Sequence, residues 1–320
     1  MNMLFEFSFL RSLLSTLLIF LLAQASGLRP QASGLFQAGD QPARQQDPIR
    51  VQVEAVNVLV TVNEKDTGIF VNELQAHHFE IYEEGVRQAI ANFSRQTDVP
   101  LTIALCVDTS ASVKLKLDFE KEAAENFVYT LMRPTDKALL LEFDTGVTLL
   151  HDFTHNPNDL AREIRALRAG GGTSLYDAVY LIGEQKMLQE TGRKTVVILS
   201  DGADLTSERT FEEALLMAQK AEVTIYAIST TRFGADIDHE GDNALKQLTE
   251  STGGRVFFPY STSQLNSAFN EINEELRNQY NLTYAPTNNK RDGTFREISV
   301  KVNHPDVRVR HRKGYFAPAS

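Results

Sequence analysis

Residues 101–112 read Leu-Thr-Ile-Ala-Leu-Cys-Val-Asp-Thr-Ser-Ala-Ser, an apolar run that ends in one carboxylate and two hydroxyls. An apolar run of this length, bounded by polar residues, predicts a buried strand. Asp108, Ser110 and Ser112 would then lie on the turn that follows the strand. Carboxylate and hydroxyl oxygens are hard donors that suit a small divalent cation. The stretch therefore predicts a strand that carries a cation site at one edge of a sheet.

The chain from residue 101 to about residue 280 alternates short apolar runs with amphipathic segments. This alternation predicts a mostly parallel sheet with helices on both faces. The predicted strands are residues 101–108, 137–143, 147–153, 194–200, 224–229 and 255–259. Between the first two, apolar residues recur every four positions and predict a helix with one face on the sheet. These residues are Leu115, Phe119, Ala123, Phe127 and Leu131.

One connection in this region is too short for a parallel crossover. Only Asp144, Thr145 and Gly146 separate the predicted strands 137–143 and 147–153. So short a link predicts an antiparallel hairpin. The predicted fold class is therefore α/β, with a doubly wound, mostly parallel sheet and one antiparallel edge strand.

Two further pieces carry oxygen donors at comparable positions. Thr173 follows a run of three glycines at 170–172, and Asp201 follows the apolar run 194–200, just before Gly202. In a doubly wound sheet, ligands bind beyond the carboxyl ends of the strands where the strand order reverses. If the strands that precede Asp108 and Asp201 are neighbours there, both carboxylates converge on one cavity. The three glycines would let the backbone before Thr173 approach that cavity closely.

The pattern Asp-x-Ser-x-Ser, followed by a distant Thr and a distant Asp-Gly, resembles the metal-ion-dependent adhesion site of von Willebrand factor A domains. The resemblance implies that Ser110, Ser112 and Thr173 bind a metal directly, and that Asp108 and Asp201 act directly or through water. It implies Mg²⁺, with Mn²⁺ or Ca²⁺ as alternatives, in an adhesion or interaction module that is not an enzyme. Because only two carboxylates face the doubly charged ion, an Asp or Glu side chain of a protein partner could complete its coordination.

Two other interpretations of the same residues are open. The loops that begin at Asp108 and Asp144 look like the paired Asp-Thr-Ser and Asp-Thr-Gly loops of aspartic proteases, whose carboxylates share a proton. A hydrolase that uses Asp108 and Asp144 is the enzymatic alternative, although those proteases are all-β. The second alternative is a structural scaffold that binds no metal, in which the Asp-x-Ser residues only cap a helix. The sequence contains no Gly-x-Ser-x-Gly elbow and no Walker loop, so nucleotide binding is not indicated.

The segments on either side of this region have a different pattern. Alternating apolar residues predict strands at Val51–Val62, at 78–85 where the strand runs into a turn, and at 280–284, 295–302 and 307–310. Neither segment is long enough to bury two faces alone. We therefore expect residues 49–98 and 280–320 to form one smaller β-sandwich, interrupted by a von Willebrand-like domain at 99–279.

The combination of the two parts resembles a group of exported proteins, frequent in Acidobacteria, that are built around a divergent von Willebrand A domain. The resemblance is carried by Asn57-Val-Leu-Val-Thr-Val62, by residues 79–85 and by the closing Val309-Arg-His-Arg-Lys-Gly-Tyr315.

The amino-terminal residues indicate export. Arg11 precedes the apolar stretch 13–22, and Ala23-Gln-Ala25 follows as a cleavage pattern, so residues 1–25 are predicted to be a removed signal peptide. An uncleaved membrane anchor is the alternative, although the apolar stretch is short for a membrane span. Residues 26–48 are rich in Gln, Pro, Arg and Ala and predict a flexible linker. The expected location is periplasmic, on the outer surface, or secreted.

Composition agrees with these predictions. A chain of 320 residues with 42% hydrophobic content can bury one α/β domain and a smaller companion. The net charge of −10, with no basic stripe to offset it, argues against nucleic acid as a partner. The single cysteine, Cys106, cannot form an internal disulfide and is predicted to be a small core residue.

Overall fold

The computed structural model describes residues 55–95, 99–233 and 239–319, which form three β-sheets and six α-helices. The strands are β1 (Val56–Glu64), β2 (Phe79–Glu83), β3 (Val86–Gln88), β4 (Ile90–Arg95), β5 (Leu101–Asp108), β6 (Lys137–Phe143), β7 (Val147–Thr154), β8 (Arg193–Ser200), β9 (Thr224–Ser229), β10 (Val256–Phe257), β11 (Tyr280–Tyr284), β12 (Phe295–Val302), β13 (Val307–Arg310) and β14 (Gly314–Phe316). The α-helices are α1 (Leu117–Leu131), α2 (Pro157–Ala166), α3 (Leu175–Leu181), α4 (Phe211–Lys220), α5 (His239–Thr252) and α6 (Thr262–Arg277). Short 3₁₀ turns lie at Ala76–His78, Ala111–Val113, Met187–Gln189 and Thr231–Phe233, and one π turn lies at Ile182–Lys186.

The central sheet has the strand order β10-β9-β8-β5-β6-β7. All neighbouring pairs are parallel except β6 and β7, which form the predicted antiparallel hairpin at the edge. Helices α1, α2 and α6 pack on one face, and α3, α4 and α5 pack on the other. Because both faces are covered, every residue of β5 and of β8 is buried. The predicted fold class is confirmed.

The stripe predicted for the first helix is wrong at its amino-terminal end. Helix α1 begins only at Leu117, and Leu115 and Phe119 are 94% and 50% exposed. A strict repeat of four residues advances 400° along a helix of 100° per residue, so it drifts away from a fixed face. The helix instead buries residues at a spacing of three and four: Leu117, Glu120, Ala123, Ala124, Phe127, Val128 and Leu131.

The flanking segments form two antiparallel four-stranded sheets, with the orders β13-β1-β11-β4 and β14-β12-β2-β3. Each sheet combines strands from both sides of the central region. In the first, Val58 lies opposite Leu282, and in the second, Ile81 lies opposite Val300. Alternate residues of β1 and β2 point into a shared apolar core with β11 and β12. The sandwich of the predicted fold class is thus made from both flanks, while the domain limits drawn from the sequence remain predictions.

A buried carboxylate on α6 joins the sandwich to the central sheet. Glu275 is fully buried and accepts hydrogen bonds from Thr61 Oγ1 at 3.3 Å and from Tyr226 OH at 3.0 Å. It also accepts from Arg255 Nε at 3.1 Å and from Arg310 Nη2 at 2.5 Å. Thr61 and Arg310 belong to β1 and β13 of the sandwich, and Tyr226 belongs to β9 of the central sheet. The Glu275 side chain therefore links the two parts.

Residues 1–48, predicted to be a signal peptide and a linker, and the strand residues Val51 and Val53 lie outside the described residues. Within the described ranges, no helix has the length and apolar character that a membrane span requires. Cys106 is a buried free cysteine in β5, as predicted, and burial raises the pKa of its thiol to about 12.

Candidate functional site

The candidate site lies at the carboxyl ends of two neighbouring parallel strands. Asp108 is the last residue of β5, and Asp201 directly follows the last residue of β8. Strand β5 pairs with β6 on one side and with β8 on the other, so the strand order reverses beside it. This is the point at which doubly wound sheets hold their ligands.

A continuous chain of hydrogen bonds joins these residues. Asp108 Oδ1 accepts from the Ser110 backbone N at 2.9 Å, and Asp108 Oδ2 accepts from Ser200 Oγ at 2.6 Å. The hydroxyls of Ser110 and Ser112 are 2.9 Å apart, and Ser112 Oγ donates to Asp201 Oδ2 at 2.7 Å. Four of the five sequence-predicted residues, Asp108, Ser110, Ser112 and Asp201, therefore lie in one network.

The fifth predicted residue, Thr173, is brought to the site by the glycine loop. The Gly170 backbone N donates to Thr109 O at 2.7 Å, and the Ala111 backbone N donates to Gly171 O at 3.2 Å. These two bonds hold the loop before Thr173 against the loop that carries the two serines. Thr173, which directly follows the glycine loop, is buried, with 2% of its surface exposed.

The loop after β8 is fixed to the same threonine. The backbone N atoms of Leu205 and Thr206 donate to Thr173 O at 2.8 and 3.1 Å. Thr173 thus bridges the glycine loop and the loop that follows Asp201. All three loops that carry predicted residues are held to one another by backbone hydrogen bonds.

Two glycines are required by this packing. Gly171 has a φ of +77°, and a Cβ there would lie 2.7 Å from Thr145 Oγ1. Gly202 has a φ of +82°, and a Cβ there would overlap the backbone of Gly241 in α5. A Cβ at Gly172 would lie 2.7 Å from Thr206 Cγ2, whereas Gly170 has open space at its Cβ position.

The residues of the site differ in exposure. Asp108, Ser110 and Thr173 are buried, Asp201 is 9% exposed, and Ser112 is exposed. The same loops carry exposed leucines: Leu115 follows Ser112 in the chain, and the 76% exposed Leu205 follows Asp201. Ser112 is therefore the predicted site residue that is most accessible to a ligand.

Burial sets the electrostatics of the site. It raises the pKa of Asp108 to about 6, although hydrogen bonds from Ser200 and Ser110 favour its charged form. It also raises the pKa of Glu120 to about 8, where the charges of Asp108 and Asp201 add to the effect and that of Lys116 opposes it. Glu120 was not among the predicted residues. A glutamate in phase with Leu117, Ala124 and Phe127 was the available signal, but the wrong helical phase concealed it.

The types of oxygen donor test whether these residues suit the cation that the resemblance implies. The Ser110–Ser112 and Ser112–Asp201 oxygen pairs are 2.9 and 2.7 Å apart, which are ordinary O–H···O hydrogen-bond distances. Carboxylate and hydroxyl oxygens are also ligands that Mg²⁺ takes. Among the described residues, no three His, Cys, Asp or Glu side chains form a metal-binding group. The donor set consists of hydroxyls with two carboxylates, and it fits a small, hard cation.

The geometry of the aspartic-protease alternative differs from a shared-proton pair. Asp144 lies in the β6–β7 turn, where its Oδ1 accepts from the Gly146 backbone N at 3.1 Å. The oxygens of Asp108 are bonded to Ser110 and Ser200, and its acidic neighbour is Asp201. Within the described ranges, no hydrogen bond joins Asp108 to Asp144.

Comparison with known families supports the class of domain that the fold indicates. A family model for the von Willebrand factor type A domain matches residues 103–203, which include all five predicted residues. The chain therefore contains a von Willebrand factor type A domain. Such domains commonly serve in protein–protein interaction or adhesion. No curated protein sequence matches the chain.

Several solved structures are similar to this chain at low sequence identity. The von Willebrand factor type A protein from Catenulispora acidiphila is 13% identical with a TM-score of 0.48, and the alignment covers 85% of this chain and 75% of that one. The vWF domain of the type V pili tip protein Mfa5 from Porphyromonas gingivalis is 16% identical with a TM-score of 0.46, over 55% and 94% of the two chains. The PilB minor pilin from Streptococcus sanguinis is 14% identical with a TM-score of 0.46, over 57% of this chain and 63% of the pilin, less than two thirds of its length.

Proposed function

We propose that this protein is an exported, non-enzymatic interaction module that binds an acidic residue of a partner protein through a divalent cation. Asp108, Ser110, Ser112, Thr173 and Asp201 would hold the cation. The observation that carries the proposal is the hydrogen-bonded network that runs from Asp108 through Ser110 and the exposed Ser112 to Asp201. Its location at the strand-order reversal supports a ligand site.

The types of oxygen donor favour a small, hard cation, with Mg²⁺ preferred and Mn²⁺ or Ca²⁺ as alternatives. Hydroxyl and carboxylate oxygens are ligands for all three ions, so a binding measurement decides among them. The cation would supply positive charge next to the two carboxylates of the site. The serines and the threonine would orient it without neutralising it.

The partner chemistry follows from the open coordination of the ion and from exposed side chains on the same loops. An octahedral ion with these five residues as ligands keeps at least one position open, and a carboxylate oxygen is a favourable further ligand for a hard cation. Leu115 and Leu205 are largely exposed on the loops that follow Ser112 and Asp201. An Asp or Glu flanked by apolar residues therefore matches the site. Burial of the leucines against such residues would add affinity in proportion to the apolar area covered.

A displayed library of random peptides tests this proposal. Peptides selected in Mg²⁺ should contain an Asp or Glu next to apolar residues, and EDTA or Asp201→Ala should abolish their binding. Leu115→Ser and Leu205→Ser should weaken it several-fold. Leu188→Ser is the matched control, because Leu188 is 50% exposed and precedes β8, at the opposite end of that strand from Asp201. Selection of peptides without an acidic residue, or binding that survives EDTA, would contradict the proposal.

A further inference from the structure

Glu120 is a buried carboxylate with no hydrogen-bonding partner. It lies on the sheet-facing side of α1 and is 1% exposed. In the described part of the chain, neither Glu120 Oε1 nor Oε2 has a hydrogen-bond partner. An unpaired buried charge is strongly destabilising, so such groups are normally paired or serve a metal. Lys116 and Thr230 favour the charged form of Glu120, but neither lies within hydrogen-bonding distance of its oxygens.

The charged groups around Glu120 belong to the candidate site. Asp108 and Asp201 act on Glu120 through their negative charges, and Lys116 acts through its positive charge. The ammonium of Lys116 is directed elsewhere, because it donates to Thr230 O at 2.6 Å and to Thr230 Oγ1 at 3.1 Å. Three carboxylates thus share a largely buried region with one ammonium. When all are ionised, the region lacks two positive charges, which is the charge of one divalent cation.

We propose that Glu120 is a third carboxylate of the cation site, outside the direct ligand set, that retains the cation through its charge and through intervening water. This inference rests on the proposed function, because it assigns a residue to the same cation. Outer carboxylates of this kind commonly change metal affinity by about tenfold to a hundredfold. Glu120 lies on a helix and not on the ligand loops, so it would act as a positioning residue and not as a ligand.

A structural role and a role in cation retention differ in their consequences. If Glu120 serves the cation, Glu120→Gln should weaken Mg²⁺ binding. At about pH 9, where the carboxyl is ionised, it should also raise the melting temperature of the metal-free protein. The second effect follows because the substitution then removes an uncompensated buried charge while it keeps the shape of the side chain. A residue needed only for packing would not be stabilising when replaced by its neutral isostere. Weaker Mg²⁺ binding together with a higher melting temperature of the metal-free protein therefore identifies a role in cation retention.

The experiment measures Mg²⁺ and Mn²⁺ binding by calorimetry and melting temperature in EDTA for the full chain. Glu120→Gln is compared with Glu122→Gln, which removes the same charge from an exposed position on the same helix. We expect Glu120→Gln to weaken cation binding about tenfold to a hundredfold and Glu122→Gln to change it less than about twofold. Glu120→Met, an apolar residue of similar length, serves if the glutamine variant does not fold.

The outcomes separate this inference from the proposed function. If the wild-type protein binds no divalent cation, the proposed function and this inference are both overturned. If the wild type binds Mg²⁺ and Glu120→Gln binds it equally well, the site stands and the role of Glu120 is overturned. If both glutamine variants weaken binding equally, the effect is one of general charge, and the role of Glu120 is likewise overturned.

Discussion

Ser112 Oγ donates a 2.7 Å hydrogen bond to Asp201 Oδ2 across 89 positions of sequence. The bond connects the loop after β5 to the loop after β8, and it is the exposed end of the network that begins at Asp108. These are also the oxygens that a cation would bind. Cation binding at this point would therefore replace a hydrogen bond between neutral and negative groups with coordination by both.

Divalent cations should stabilise the folded protein. A ligand that binds only the native state adds about 2.7 kcal/mol to the free energy of unfolding at a hundredfold excess over its dissociation constant. We expect the melting temperature to rise in millimolar Mg²⁺ or Mn²⁺ and to return to its starting value in EDTA. Scanning calorimetry of protein first stripped of metal provides the measurement. A melting temperature indifferent to both treatments would count against a cation site and favour the metal-free scaffold.

Substitutions of two loop residues should weaken cation binding while the fold persists. Thr173→Ala and Asp201→Ala remove oxygen donors that lie beyond the strands, so neither leaves a cavity in the main cores. We expect each to weaken Mg²⁺ binding by at least about tenfold. Thr173→Ser keeps the hydroxyl and should bind nearly as the wild type does. Titration calorimetry measures the affinities, and loss of cooperative unfolding in a variant would identify that residue as structural.

The stabilising effect of Mg²⁺ should increase with pH. The folded, metal-free protein has pKa values of about 6 for Asp108 and about 8 for Glu120, both above the ordinary carboxyl range. Between about pH 4 and pH 8, the native state holds more protons on these two groups than the unfolded state does. The metal-free protein therefore becomes less stable as pH rises through this range. A cation must compete with the Asp108 proton, so its apparent affinity should fall about tenfold per pH unit below pH 6.

Melting curves with and without Mg²⁺ between pH 5 and pH 8 check this dependence. The increase in melting temperature should be small at pH 5 and largest near pH 8. In Asp108→Asn, the Mg²⁺-dependent increase should be small at every pH. An equal Mg²⁺ effect at both ends of the range would contradict the linkage.

The junction carboxylate Glu275 should contribute strongly to stability. Removing its charge leaves Arg255 and Arg310 beside a neutral group at a buried position, and breaking a buried ion pair typically costs about 3 kcal/mol. Glu271 also pairs with Arg255, at 2.8 Å, but is 50% exposed. Glu271→Gln should therefore cost less than about 1 kcal/mol. Urea denaturation of Glu275→Gln and Glu271→Gln compares the two, and equal costs would show that burial does not decide the effect.

Fragments of the chain should differ in their ability to fold. Residues 99–279 contain all six strands and the covering helices of the central sheet, so we expect them to fold alone, although without the Arg310 partner of Glu275. Residues 49–98 should not fold alone, because β1 and β2 pair with β11 and β12 from the other flank. Amide NMR spectra of each fragment give the answer. A dispersed spectrum for residues 49–98 would refute the shared sandwich.

Much of the architecture could be predicted because it depends on local pattern. The strands β5, β6, β9, β12 and β13 have the predicted bounds, since continuous or alternating apolar runs end sharply at polar residues. The hairpin at 144–146 followed from chain length alone. Helical phase was less predictable, because a repeat of four fits a short helix almost as well as a repeat of 3.6. That small error placed Leu115 and Phe119 in the core and concealed Glu120.

By itself, the sequence determined that a doubly wound sheet delivers Asp108 and Asp201 at strand ends, because strand direction and the order of connections are local properties of the chain. Only the tertiary structure decided what those carboxylates meet. The bond from Ser112 to Asp201 and the ion pair of Glu275 with Arg310 join segments that are distant in sequence. The burial of Glu120 without a hydrogen-bond partner depends on which face of its helix is buried. Such contacts depend on packing in three dimensions, where a shift of one residue in phase exchanges a buried charge for an exposed one.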